Sequence, residues 1–115
     1  MGHEAWATCP ITQLAFLRIS SNPKIIADAV RPIEAVDMLA QIVTLRGHHF
    51  WADEPEPVQT TVFKSLSLIG HRQLTDAYLL ALALHHQGKL ATFDSGVGQL
   101  LSSTKDRSRH VQIIE

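Results

Sequence analysis

The chain has 115 residues, with 10 Lys and Arg against 11 Asp and Glu, so its formal net charge is −1. Hydrophobic residues make up 45% and charged residues 18%, which is typical of one globular domain with a sizeable core and excludes intrinsic disorder. Cys9 is the only cysteine, which excludes a disulfide scaffold and favours a reducing, cytoplasmic compartment. The longest apolar run, from Ala77 to Leu84, is too short to span a bilayer.

The N-terminal half of the sequence predicts a strand, two helices and a second strand. The first strand covers Ala5–Cys9, and Pro10 begins a helix because proline is favoured in a first turn. That helix ends at the turn sequence SSNP. Pro32 begins a second helix, in which apolar residues recur at spacings of three and four, with Gly47 as its C-terminal cap. A short strand over residues 48–52 follows.

The C-terminal half predicts three more helices, the last a short one that follows Ser95–Gly96 and ends at Leu101, and two more strands. A helix is expected over Val58–Leu66. The next helix has Thr75 as its N-terminal cap and ends at Gly88, and we expect it to be buried because it is apolar almost all round. Strands are predicted over Lys89–Phe93 and Val111–Ile114.

The alternation of strands and helices predicts an α/β fold. We expect one domain over residues 1–115, with a parallel sheet, helices on both faces and right-handed crossovers. Near-neutral charge argues against a protein held on nucleic acid by bulk electrostatics alone, although it leaves room for local contacts with RNA.

Two aspartates are predicted to meet at one edge of this sheet. Asp76 lies at the start of the buried helix, and Asp94 follows the strand after it. About twelve residues of helix rise roughly 18 Å. A strand of five or six residues covers roughly 16–20 Å, so the two lengths match. The first predicted strand ends at the same edge, which also places Thr12 and Gln13 there.

Carboxylates gathered at a sheet edge suit Mg²⁺ or Mn²⁺, since these hard cations prefer oxygen ligands. A simpler interpretation stays open. The helix dipole alone favours Asp76 in a first turn, and Asp94 is a common type of residue after a strand.

Other candidate sites are weaker. The adjacent histidine pairs do not have the spacing of helical zinc ligands. Cys9 lacks the residues that would activate a thiol nucleophile, so we interpret it as a small buried side chain. A nucleotide-binding protein would need a glycine-rich phosphate loop, which the sequence does not contain. Arg18 and Arg72 flank the proposed cleft and are candidates for RNA phosphate contacts, with solvated cations as the alternative.

The segments TDAYLLALA and GKLATFD resemble the C-terminal half of PIN-domain ribonucleases, most closely the VapC-type toxins of toxin–antitoxin systems. ATCPITQLAFLRI, SSNP and VQIIE resemble further parts of that family, so the resemblance covers the chain from about Ala5 to Glu115. It implies a PIN-like, three-layer fold and a Mg²⁺-dependent endoribonuclease. It also implies an RNA substrate, a cognate VapB-type antitoxin and a homodimer.

The resemblance also assigns roles to individual residues. Asp76 and Asp94 match two catalytic, metal-binding carboxylates of the family, and Thr12 matches a hydroxyl residue near the site. Gln13 stands where the family usually has Glu, and it keeps the carbonyl oxygen but loses the charge. We expect weak Mg²⁺ binding and low nuclease activity from this chain.

The family's first strand, which ends in another Asp, has no counterpart in this sequence. We expect the fold to compensate by direct pairing of the strands at Ala5–Cys9 and Lys89–Phe93, or by exchange of elements between two copies. The alternative function is a non-catalytic remnant that binds an antitoxin or associates with itself.

Overall fold

The computed structural model describes residues 5–60, 63, 73–92 and 109–114. The chain divides into two compact units, Met1–Asp53 and Glu54–Glu115. Both units combine α-helix with short parallel strands, so the chain has an α/β fold, as predicted. No helix within the described ranges is long and apolar enough to cross a membrane.

The first unit contains strand β1 (Trp6–Thr8), helix α1 (Pro10–Ser20), helix α2 (Pro32–Ile42) and strand β2 (His48–Phe50). Strands β1 and β2 pair in parallel, and the two helices of the crossover pack against each other. These elements confirm the predicted order and the predicted start of both helices at proline.

The two helices of the first unit begin without a Ser, Thr, Asp or Asn cap. Cys9 and Arg31 occupy the cap positions, and a residue three places further on bonds back to each backbone N–H: Thr12 Oγ1 accepts from Cys9 and Glu34 Oε1 accepts from Arg31. This satisfies a backbone donor that the helix leaves unpaired, and proline supplies the preset first turn.

Helix α2 ends earlier than predicted, at Ile42, so Gly47 is not its C-terminal cap. The backbone tightens to bonds between residues three apart, from Thr44 to Gln41 and from Leu45 to Ile42. Gly47 instead adopts a φ of 91° just before β2, a conformation that glycine tolerates at no steric cost.

The second unit contains a short 3₁₀ helix (Pro57–Gln59), helix α3 (Leu74–His85), strand β3 (Leu90–Thr92) and strand β4 (Val111–Ile113), which pairs with β3 in parallel. The helix predicted over Val58–Leu66 is represented in the described residues by that 3₁₀ turn and by Phe63, which is helical. The rest of that segment lies outside the described residues, as does the short helix predicted to end at Leu101.

Helix α3 supplies most of the described core. Half of its twelve residues are buried, as its apolar composition predicts: Ala77, Tyr78, Leu80, Ala81, Leu82 and Ala83. Ala77, Leu80 and Ala81 form a cluster with Val111 of β4, and Phe63, Leu84 and Leu90 pack against it. Burying a leucine side chain contributes about 1.5–3 kcal/mol, so this cluster anchors the helix to both strands.

The start of α3 differs from the prediction, because Gln73 and not Thr75 is the N-terminal cap. At the other end, Gly88 donates to Ala83 (2.7 Å) and Gln87 donates to Leu84 (3.0 Å). This is a Schellman motif, in which Gln87 holds the left-handed conformation with a φ of 57°. Gly88 therefore helps to end the helix, as predicted, but the left-handed residue is its neighbour.

The described strands form two separate two-stranded ladders, β1 with β2 and β3 with β4. Direct pairing between β1 and β3, one of the two compensations we expected, would join the two units, and it stays a prediction. The other compensation, exchange of elements between copies, stays a prediction.

Candidate functional site

Asp76 lies in the first turn of α3, with its side chain half-buried. The next residue, Ala77, is completely buried in the core cluster, so the backbone that carries the carboxylate is held firmly. The positive end of the helix dipole favours a negative charge at this position. Asp76 is therefore a carboxylate in the first turn of a helix, next to a residue that is buried in the core.

The second predicted metal ligand, Asp94, lies outside the described residues, as does Arg72. In sequence Asp94 follows the end of β3 by two positions. Among the residues that the structure describes, no three His, Cys, Asp or Glu side chains are close enough together to hold a metal ion. The pairing of Asp76 with Asp94 stays a prediction.

Thr12 and Gln13 both lie at the start of α1 and both are half-buried. The Thr12 hydroxyl accepts from the Cys9 backbone N–H (2.9 Å) and donates to the Cys9 carbonyl (3.0 Å), so it serves the helix start. Gln13 uses its side-chain amide, whose Nε2 donates to Thr8 Oγ1 (2.9 Å). Both residues are thus tied to the carboxyl end of β1.

Thr8 also reaches His48, because its Oγ1 lies 2.7 Å from the ring Nε2. The resulting chain of Gln13, Thr8 and His48 was not predicted from the sequence. Side chains alternate between the two faces of a strand, so Trp6 and Thr8 lie on one face of β1. The sequence is sufficient to predict that shared face. The register that places His48 opposite Trp6 comes only from the structure.

Arg18 lies in the last turn of α1, with an exposed side chain that is open to an anionic ligand. A cation is also favoured there by the negative end of the helix dipole, which is sufficient reason for its position. Its contact with RNA, and the approach of Thr12 and Gln13 to the aspartates, stay predictions.

Cys9 is buried, with 2% of its surface exposed, which confirms its interpretation as a small apolar side chain. In the second unit, His85 Nε2 lies 3.5 Å from Glu54 Oε2, and both side chains are substantially exposed. An exposed pair of this kind contributes little to stability and offers only two ligands to a metal.

Curated relatives of the chain are ribonucleases. It is 41% identical to ribonuclease VapC38 of Mycobacterium tuberculosis (strain ATCC 25618 / H37Rv) over 92 residues, which cover 80% of this chain and 63% of VapC38. It is 36% identical to ribonuclease VapC39 of the same strain over 98 residues, which cover 85% of this chain and 70% of VapC39. No protein-family model matches the chain.

The chain belongs to the VapC family, because VapC39 is similar to it over most of the length of both proteins. The predicted resemblance to that family is confirmed. The chain spans slightly less than two thirds of the length of VapC38.

Proposed function

We propose that the protein is a metal-dependent endoribonuclease toxin of a toxin–antitoxin system, built on a PIN-like, three-layer fold. Its similarity to ribonucleases VapC38 and VapC39 carries this proposal. The buried helix α3, with an aspartate in its first turn, supports it, because that helix gives a catalytic carboxylate a fixed position. The protein would act in the cytoplasm.

Asp76 and Asp94 would hold the metal ion through their carboxylate oxygens. These donors fit Mg²⁺ or Mn²⁺, which prefer oxygen ligands and keep several of their waters when few carboxylates bind them. A cation bound there would activate water and neutralise charge on a phosphodiester. Asp76, set in a helical turn next to the core, would keep its oxygens in place during the reaction.

Gln13 limits this activity. A glutamine oxygen is neutral, so the site has one negative charge fewer than a site with Glu at this position. We therefore expect weak metal binding and slow cleavage. Arg18 and Arg72 would contact phosphates of the RNA. A VapB-type antitoxin would inhibit the protein. We expect the protein to be a homodimer, in which exchange of elements between copies is one of the two ways to pair the edge strands.

A cleavage assay on a labelled single-stranded RNA tests the proposal. Mg²⁺ should stimulate cleavage by the unmodified chain, and Asp76→Asn and Asp94→Asn should abolish that stimulation, since each removes a charged metal ligand. Asp37→Asn is the matched control, because Asp37 is an exposed aspartate of α2. Mg²⁺-dependent cleavage that persists unchanged in Asp94→Asn would contradict the site assignment.

The second candidate function is a non-catalytic module that binds an antitoxin or a second copy of itself. Exposed apolar side chains on α1 and α2 favour it: Leu14 is 57% exposed and Ile33 is 60% exposed, and Val36 is also exposed. Apolar surface of this kind is typical of interaction sites when it is contiguous. Three results would together favour this function. Titration calorimetry would detect no Mg²⁺ binding, the RNA would stay intact after incubation with the protein, and light scattering would show a dimer.

A further inference from the structure

The side chains of Gln13, Thr8 and His48 form a hydrogen-bonded chain that has a direction. Gln13 Nε2 can only donate, so Thr8 Oγ1 accepts at 2.9 Å. The single Thr8 hydroxyl proton then needs an acceptor, and His48 Nε2 lies 2.7 Å away. If His48 Nε2 donated instead, the Thr8 hydroxyl would accept from both neighbours and its proton would have no partner within these hydrogen bonds.

The surroundings of His48 hold its ring in this position. The ring lies against Trp6, with their centroids 4.7 Å apart and their planes inclined by 57°. Trp6 is itself fixed, because its Nε1 donates to the Arg46 carbonyl at 3.1 Å. The β1–β2 register places His48 opposite Trp6, so the ring reaches along the strand to Thr8.

We propose that Thr8 and His48 are positioning residues for Gln13. They hold its carboxamide with the nitrogen toward Thr8, which leaves Oε1 as the acceptor presented to a ligand. Nε2 of His48 is then the acceptor, with the ring proton on Nδ1. The hydrogen bond from RNA to Oε1 rests on the proposed function. The orientation of the Gln13 amide and the tautomer of His48 do not depend on that function.

Residue 13 therefore sets the direction in which the hydrogen bonds run from residue 13 through Thr8 to His48. A carboxylate only accepts, so Gln13→Glu requires the Thr8 hydroxyl to donate to residue 13. His48 Nε2 must then carry a proton in order to donate to Thr8. The substitution reverses both hydrogen bonds and moves the proton on a ring that lies two hydrogen bonds away from residue 13.

Nitrogen NMR of the histidine rings in the full-length chain tests this arrangement without RNA or metal. The unmodified chain should show His48 as the Nδ1–H tautomer, and Gln13→Glu should protonate Nε2. Gln41→Glu is the matched control, because Gln41 is an exposed glutamine of α2 and its substitution should leave His48 unchanged. Nε2–H in the unmodified chain, or a tautomer that does not respond to Gln13→Glu, overturns the proposal.

Variants of Thr8 provide a second measurement if Gln13→Glu does not fold. Thr8→Val keeps the shape of the side chain but removes its hydroxyl, so the Gln13 side-chain amide proton that is bonded to Thr8 should shift toward the position of a solvent-exposed glutamine and exchange faster with water. Thr8→Ser should restore its chemical shift. An unchanged chemical shift of that proton in Thr8→Val would contradict the proposed role of Thr8.

Binding of a fluorescein-labelled single-stranded RNA separates the two proposals. The loss of one oriented acceptor should weaken RNA binding by Thr8→Val about fivefold, and Thr8→Ser should bind like the unmodified chain. If no variant binds or cleaves RNA while the His48 proton still moves in Gln13→Glu, the ribonuclease proposal fails and the positioning of Gln13 stands. Equal RNA affinity of Thr8→Val and the unmodified chain overturns the ligand role of Oε1.

Discussion

Helix α3 and helix α1 are nearly equal in length but are held in different ways. Half of the α3 residues are buried, whereas no residue of α1 is. Helix α1 is held at its start by hydrogen bonds, from the Cys9 backbone to Thr12 and from the Gln13 side chain to Thr8. Apolar burial fixes α3, which carries Asp76, and polar contacts fix the start of α1, which carries Gln13.

The largest difference is expected from truncating a leucine in each helix. Leu80→Ala removes a completely buried side chain and should lower the free energy of unfolding by about 2–5 kcal/mol. Leu14→Ala, at a position 57% exposed, should change it by no more than about 0.5 kcal/mol. Urea denaturation followed by circular dichroism measures both, and equal losses would show that Leu14 is covered in solution.

Helix α2 offers a second test, because it has one buried position among exposed ones. Ala35 is completely buried, so Ala35→Leu should overpack its surroundings and cost about 1–3 kcal/mol. Ala40→Leu adds the same atoms at an exposed position of the same helix and should cost less than about 0.5 kcal/mol. Thermal unfolding at matched protein concentration compares them. A stable Ala35→Leu protein would mean that the surroundings of Ala35 can move apart to admit the larger side chain.

The Tyr78 hydroxyl tests a polar contact within the apolar helix. It donates to the Pro55 carbonyl at 2.8 Å, and the ring itself is buried. Tyr78→Phe should lower the free energy of unfolding by about 0.5–1.5 kcal/mol, because the carbonyl loses its donor while the ring stays packed. Tyr78→Leu should cost more, since it also removes the ring. If Tyr78→Phe and Tyr78→Leu have equal stability in urea, the aromatic ring contributes no more to stability than a leucine side chain does.

The smallest effect is expected at the exposed pair of Arg31 and Glu34, whose atoms are 3.1 Å apart. Arg31→Ala removes only the ion pair and should cost about 0.2–0.5 kcal/mol, a loss that salt diminishes. Glu34→Ala also removes the acceptor of the Arg31 backbone N–H and should cost about 1 kcal/mol, largely independent of salt. Denaturation at low and high salt separates these terms, and a loss for Glu34→Ala that vanishes in salt would contradict the capping role.

Sequence patterns were sufficient for the elements whose signals are local. Pro10 and Pro32 marked helix starts, SSNP marked an end, and the unbroken apolar run marked a buried helix. The patterns failed at two helix ends, where a glycine marked the wrong residue. Helix α2 changes to tighter turns before reaching Gly47, and the left-handed residue after α3 is Gln87 and not the glycine next to it.

The candidate site was predictable only in part. Asp76 was placed correctly in a first turn, because helix position follows from local sequence. The partners of Gln13 were not predicted, because they depend on the β1–β2 register, which joins residues 40 positions apart. Sequence gives the face of a strand on which Thr8 lies, but it does not say which residue of another strand lies opposite.

The left-handed conformation of Gln87 forms the turn between α3 and β3 and carries a cost in stability. A side chain with a Cβ atom is held there at a cost of roughly 1–2 kcal/mol, so glycine or asparagine would relax the turn. Strand β3 is only three residues long, and Asp94 follows it by two. A substitution at position 87 therefore changes the stability of the turn that joins α3, which carries Asp76, to β3.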